Sequence, residues 1–220
     1  MKRENLFKLF VVLFVASLAL NGYLLVCLAP RKAMLDEIRE TKSLLTESRK
    51  ARMCVPNTNF LTLHYFLTEA QKSLGETERG NVTAIISLDG DKIGTLVREK
   101  GVEAAGYAVD NLRHYIERVA AKNKDIVVCS LGEQSDEIVI LVPNKSSEKE
   151  IIDFTANLLE GWRNVKLKYN GEELHVTISA GIAFFPKQAD NCDDLYTKAD
   201  MALQMAKDAG RDRYAVFEEK

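Results

Sequence analysis

The chain has 220 residues, room for one ordinary domain and an extension. Its 46% hydrophobic and 28% charged residues exclude a disordered polypeptide. The formal net charge of -2 argues against nucleic-acid binding by bulk electrostatics but permits a small anionic ligand held by a few local cations.

From Leu9 to Ala29 the chain carries no charged residue, and at about 1.5 Å per residue such a run reaches roughly 30 Å, the thickness of a bilayer core. The basic residues before it resemble the n-region of a signal peptide. The apolar run is too long for an h-region, however, and no A-x-A cleavage site follows. Leu24-Leu25-Val26-Cys27 hints at a lipobox, with a bulky Val26 in the wrong place. The reading is therefore a basic N-terminus (1–8), an uncleaved single-pass transmembrane anchor (9–30), a charged helical linker (31–53) and one domain (54–220). Arg31, Lys32, Arg39, Lys42, Arg49 and Lys50 outnumber Lys2, Arg3 and Lys8. That bias places the anchor in the inner (cytoplasmic) membrane with the domain in the cytoplasm. The linker has a thin apolar seam through Met34, Ile38 and Leu45, interrupted by Thr41, Ser48 and Arg52, so a spacer and a weak coiled coil both remain open.

A loop, CVPNTN, precedes an apolar-periodic helix from about Asn59 to Leu74. VTAIISL (Val82–Leu88) is a buried strand by its β-branched content. A long amphipathic helix spans about Val102–Lys122, and two strands, Ile126–Leu131 and Glu137–Val142, flank a tight Gly132–Asp136 turn. A helix covers about Ser147–Trp162, and Asn170-Gly171 predicts a hairpin turn into His175–Phe185. A last helix spans about Asp193–Ala209, ends at Gly210, and leads to a strand at Tyr214–Phe217. The order β-α-β-β-α-β with an added helix and strand predicts an α+β fold, a ferredoxin-like palm with an antiparallel sheet flanked by helices. Four cysteines (Cys27, Cys54, Cys129, Cys192) and three histidines are scattered, which argues for reduced thiols rather than a zinc site or disulfides.

Asp89 and Asp91 end the first strand, and Asp136-Glu137 occupy the following hairpin turn. In a palm sheet these places are neighbours, so Asp89 and Asp136 can converge on Mg2+ or Mn2+, hard cations that prefer oxygen ligands and bridge to phosphates. Acidic residues also cap strands and turns for purely structural reasons, and the residues alone leave the two readings balanced.

Five fragments in register resemble the GGDEF (diguanylate cyclase-like) family over about Val55 to Phe217. VPNTNFL resembles its LPNRRxF opening, SLDGDKIG its D-x-D-x-F-K strand end, QSDEI its GGDEF signature and TISAGIAFFP its S-x-G-I-A strand. Most specific is Ala199–Phe217, ADMALQMAKDAGRDRYAVF, which is similar to ADxALYxAKxxGRNRxxxF. The resemblance implies metal ligation by Asp89, the Gly90 carbonyl and Asp136, with Glu137 as the acidic neighbour of the nucleophile and Asp136 and Glu137 together the catalytic pair. It implies phosphate cradling by the backbone N–H groups of Lys92 and Ile93, and a grip on the triphosphate by Lys207 and Arg211.

The departures are local. Gln134 and Ser135 replace the first two signature glycines and are expected to crowd the nucleotide. The family's guanine-reading positions fall at Val97 and Gly106, so strong discrimination for guanine is not expected. Gly94 stands for the lysine of F-K, and Asn123-Lys124-Asp125 for the R-x-x-D product-inhibition motif. DGDKIG also resembles the palm of CRISPR-associated polymerases. Three readings follow: a membrane-anchored homodimeric cyclase using GTP or ATP, a pseudo-enzyme that signals by binding or dimerising, and an adenine-using synthase. Since the segment beyond the membrane is too short to sense, input would come from a membrane partner protein, the bilayer or clustering.

Overall fold

A computed structural model describes residues 13–18, 34–48, 50, 52–133 and 135–219. It divides into two units, Met1–Arg52 and Met53–Lys220. In the first unit residues 13–18 and 34–48 are helical. Most of the Leu9–Ala29 run expected to cross a membrane lies outside the described residues, as does Gln134. Among the described residues no helix is long and apolar enough to span a bilayer.

The second unit contains α1 (Leu63–Gly75), β1 (Val82–Gly90), α2 (Ile93–Lys100), α3 (Val102–Lys122), β2 (Val127–Ser130), β3 (Ile138–Lys145) and α4 (Glu148–Arg163). There follow β4 (Leu167–Tyr169), β5 (Glu172–Leu174), β6 (Ile178–Phe185), α5 (Cys192–Asp208) and β7 (Tyr214–Val216). The main sheet has the order β2-β3-β1-β6-β7, so β1 is central and antiparallel to both β3 and β6. This is a mixed α+β palm. It differs from the expected antiparallel sheet in one respect: β7 pairs with β6 in parallel, because α5 carries the chain back across the sheet before β7 begins.

Strand alternation assigns the two faces. Ala84, Ile86 and Leu88 point toward Ala108, Leu112 and Ile116 of α3 and Leu158 and Trp162 of α4. Ile85, Val139 and Ala183 meet Phe66 and Ala70 of α1 and Leu195, Ala199 and Ala202 of α5. Helices thus cover both faces, which is why the central strands read as nearly continuous apolar runs. Cys129 and Cys192 are buried and Cys54 half-buried, all three free, and burial pushes the Cys129 thiol up to about 12.

Two details place the site. At Gly181 of β6 an added Cβ would lie 2.0 Å from the Leu203 nitrogen and 2.1 Å from the Ala199 oxygen, so only glycine lets α5 seat this closely on the sheet. The Val55–Phe60 loop closes on itself (Val55 N–H to Phe60 O, 2.9 Å), after which Leu61 pairs with the edge of β2 (Leu61 N–H to Val128 O, 2.8 Å).

The expected hairpin at Asn170-Gly171 forms, with positive φ at both residues, but it joins β4 to β5 in a separate two-stranded ribbon. β6 begins three residues later than the predicted strand.

Candidate functional site

The ends of β1 and the β2–β3 turn meet. A Cβ added to Gly90 would approach Asp136 Cβ at 3.2 Å and Ile93 Cγ1 at 2.9 Å, so the bare backbone of Gly90 is what admits the Asp136 side chain. Asp89 is nearly buried, and its Oδ2 lies 2.9 Å from Lys207 Nζ in the last turn of α5. Burial, then the Asp89 charge, pushes the Asp136 carboxyl above its ordinary range, against a smaller downward pull from Lys207. Glu137 is raised by burial, then by Asp89 and Asp136. Three carboxylates therefore gather around one ammonium group, an excess of negative charge suited to a divalent cation.

Asp91 does something else. Its carboxylate accepts from Thr177 Oγ1 (2.7 Å), Ser179 Oγ (2.8 Å) and the Asp212 N–H (3.0 Å). With three donors in place it ties β1 to β6 and to the turn after α5, the structural use of a strand-end acid. That turn has positive φ at Gly210, Arg211 and Asp212. Arg163 clamps its far side, donating through Nε to Asp212 Oδ1 (2.9 Å) and through Nη2 to Asp212 O (2.8 Å). Arg211 is thereby fixed one turn beyond Lys207, with its N–H on Ala206 O at 3.1 Å.

Lys92 takes a left-handed φ of 59° immediately before α2. Neither its N–H nor that of Ile93 has an acceptor among the described residues. A helix N-terminus with free donors favours an anion.

Beside this cluster a cleft of about 610 Å³ runs between α2, α3 and the Val55–Phe60 loop, lined by Asn57, Val97, Gly106, Asp110, Arg113 and His114 among others. Val97 and Gly106, from different helices, thus line one cavity. A Cβ added at Gly106 would meet nothing within 4 Å, so the missing side chain is open space.

Arg113, absent from the sequence reading, proves central to the turn. It is 7% exposed and donates through Nη2 to Gly132 O (2.9 Å) and Ser135 O (3.4 Å), with Asp110 Oδ1 3.5 Å from Nη1. Its Nε has no partner among the described residues. Ser130 Oγ also donates to Gly132 O (2.9 Å), and Ser135 Oγ accepts from the Glu137 N–H (3.1 Å). The Ser135 hydroxyl thus folds the turn on itself, a different use from the crowding expected of it.

The available metal donors are the Asp89 and Asp136 carboxylates and the Gly90 carbonyl, an all-oxygen set that fits Mg2+ or Mn2+. No group of three or more His, Cys, Asp or Glu side chains arranged to hold a metal occurs among the described residues. Protein groups alone would leave water to fill the rest of a six-coordinate shell, positions that phosphate oxygens can take.

A central antiparallel strand pair with carboxylates at one end, a cation on the covering helix and free amides beside it define a palm-type fold with a charged cluster at one sheet end. The diguanylate cyclase, GGDEF domain family matches residues 56–213, and the chain belongs to that family. The uncharacterized protein YhcK of Bacillus subtilis strain 168 is 30% identical over 142 residues, 62% of this chain. The chain spans little more than a third of that relative (37%). Many solved structures share the fold, two GGDEF domains among them. The coiled coil and GGDEF domain of Caulobacter crescentus DgcB, in complex with c-di-GMP, matches with a TM-score of 0.73 at 19% identity, over 86% of this chain and 97% of that one. The GGDEF domain of Pseudomonas aeruginosa TpbB (YfiN) gives 0.69 at 21% identity, over 75% and 94%.

Proposed function

We propose that the domain is a nucleotide cyclase of the diguanylate cyclase type that joins two nucleoside triphosphates into a cyclic dinucleotide with loose guanine selectivity. The observation that carries this reading is the gathering of Asp89, Asp136, Glu137 and Lys207 beside the free amides of Lys92 and Ile93. Asp89, Asp136 and the Gly90 carbonyl would hold Mg2+ or Mn2+, which when bound neutralises charge on the phosphates. Lys207 and Arg211 grip the triphosphate, one as a point charge and the other as a fork, while the N–H groups of Lys92 and Ile93 cradle it. Glu137, its proton affinity raised by burial and two neighbouring carboxylates, is suited to accept the proton of the attacking 3′-hydroxyl.

Each 3′-oxygen attacks the α-phosphorus held by the other copy, so two phosphodiester bonds form and two pyrophosphates leave. One domain holds one triphosphate, so the reaction requires a homodimer. The Leu9–Ala29 segment anchors the chain in the inner membrane with the domain in the cytoplasm, and a membrane partner protein supplies the input. The base occupies the cleft at Val97 and Gly106, where neither residue offers a polar side chain to guanine, so GTP and ATP compete more evenly than in a guanine-reading site.

The lack of a polar side chain at Val97 and Gly106 also favours a second reading, a pseudo-enzyme that binds a metal–triphosphate and signals by dimerising. Full-length protein in detergent, incubated with each triphosphate and magnesium, separates the two. Cyclic product that disappears in Asp136→Ala supports the cyclase. Binding without turnover supports the pseudo-enzyme, and the absence of both turnover and triphosphate binding refutes both.

A further inference from the structure

Lys207 and Asp89 have different partners in the proposed reaction, the phosphates and the metal, yet they also pair with each other at 2.9 Å. Their side chains are 22% and 13% exposed, so this pair is far less screened than the surface ion pairs, such as Lys149 with Asp153 at 78% and 55%. The backbone that carries Lys207 is held in place. The Gly181 contact seats α5 on β6, and the turn after α5 is held by Asp91 on one side and Arg163 on the other.

Resting on the proposed function, we propose that Lys207 is the resident counter-cation of the metal carboxylates, so that the site refuses a free divalent ion and accepts metal and triphosphate as one unit. A free ion entering at Asp89 would have to displace the ammonium, which stays tethered within reach as an unpaired like charge. It would also find only two carboxylates and one carbonyl, leaving water to fill the rest of an octahedral shell and holding the ion weakly. A triphosphate removes both obstacles together. Its oxygens complete the coordination, and its negative charge gives the Lys207 ammonium a new partner as Asp89 is released. The coupling is reciprocal: metal raises triphosphate affinity by the same factor that triphosphate raises metal affinity.

Mn2+ binding to full-length protein, read from the electron paramagnetic resonance signal of free Mn2+, tests this with and without a non-hydrolysable triphosphate analogue. Wild type should bind Mn2+ alone weakly and much more tightly with the analogue. Lys207→Met should bind Mn2+ alone on the order of tenfold more tightly than wild type, a coupling of ordinary allosteric size, and gain less from the analogue. Lys207→Arg, which keeps the cation, should still exclude the free ion. If Lys207→Met binds Mn2+ alone no better than wild type, or if Lys207→Arg gains as much as Lys207→Met, the counter-cation role is overturned. Asp89→Asn is the separate control. Loss of Mn2+ binding with the analogue upholds Asp89 as a ligand, whereas unaltered binding overturns that assignment and this inference with it.

Discussion

Replacing Arg113 with methionine should loosen the turn that carries Asp136 and Glu137 while leaving the domain as a whole nearly as stable as before. Two effects oppose each other. The charge-assisted bond from Nη2 to Gly132 O at 2.9 Å is worth about 1.5–3 kcal/mol, and the contacts at 3.4 and 3.5 Å add little. Against this, Arg113 is a 7% exposed cation whose Nε has no partner among the described residues, and Asp110, the carboxylate paired with it, is itself 64% exposed. Desolvation of such a group costs several kcal/mol, and methionine removes that cost while filling similar volume. Gly132 O keeps its bond from Ser130 Oγ. The terms offset to about 1 kcal/mol in either direction, a shift of roughly 2–4 °C in Tm for a domain of this size. The local effect has no such offset, because the turn loses its tie to α3. Amide exchange at Leu131 and Glu137 should quicken about tenfold or more, and metal–triphosphate affinity should fall about tenfold, each factor of ten being ~1.4 kcal/mol. Exchange by mass spectrometry, thermal melts and triphosphate titration measure the three. Unchanged exchange over 131–137 together with a fall in Tm of more than about 10 °C would make Arg113 a global support and refute the positioning role.

Gly181→Ala should be costly, since its Cβ meets backbone atoms at 2.0 and 2.1 Å that no rotamer change can move. Overpacking of about 3 kcal/mol lowers Tm by roughly 6–12 °C, and an unchanged melt would show that α5 has room to retreat. Asp136→Asn tests the charge excess. The folded carboxyl is raised above its unfolded value by burial and then by Asp89. Its ionisation therefore begins to cost stability as pH rises past the unfolded value of about 4, and the cost is complete above the folded value. The asparagine variant should gain about 1 kcal/mol in urea unfolding at pH 7 and lose that gain at pH 3, whereas an equal gain at both would exclude an electrostatic origin.

The strands and long helices were legible because burial on both sheet faces writes itself as apolar runs and stripes. α3 coincides with the predicted Val102–Lys122, bounded by Gly101 at φ 88° and by Asn123. α2 was missed because its eight residues bury no side chain fully and include Gly94, so no apolar stripe announces it. The β4–β5 ribbon was folded into the main sheet because its turn residues were clear while its three-residue strands, carrying Lys168, Glu172 and Glu173, show no alternation. Arg113 had a faint signal, a cation set four residues after Val109 and three before Ile116 on the buried stripe of α3. Asp91 had none. Its donors Thr177 and Asp212 lie 86 and 121 positions away, and no local pattern distinguishes a lock of that kind from a metal ligand.

That distinction bears on how the chain has departed from its family's pattern. The charged cluster stands on the end of β1, the β2–β3 turn and the last turn of α5, elements fixed by strand pairing, by Gly181 and by Asp91. The cleft stands on α2, α3 and the Val55–Phe60 loop, where α2 has no fully buried side chain and Gly106 faces open space. A substitution at Val97 or Gly106 changes what the cleft wall offers a base without disturbing the distance between Lys207 and Asp89. The pairing of Lys207 with Asp89 thus stands apart from the cleft wall at Val97 and Gly106, while Arg113, which lines the cleft and holds the β2–β3 turn, links the two. The Asp89–Lys207 pair contributes far less to folding than the apolar contacts around it, so stability alone does not account for placing these charges together.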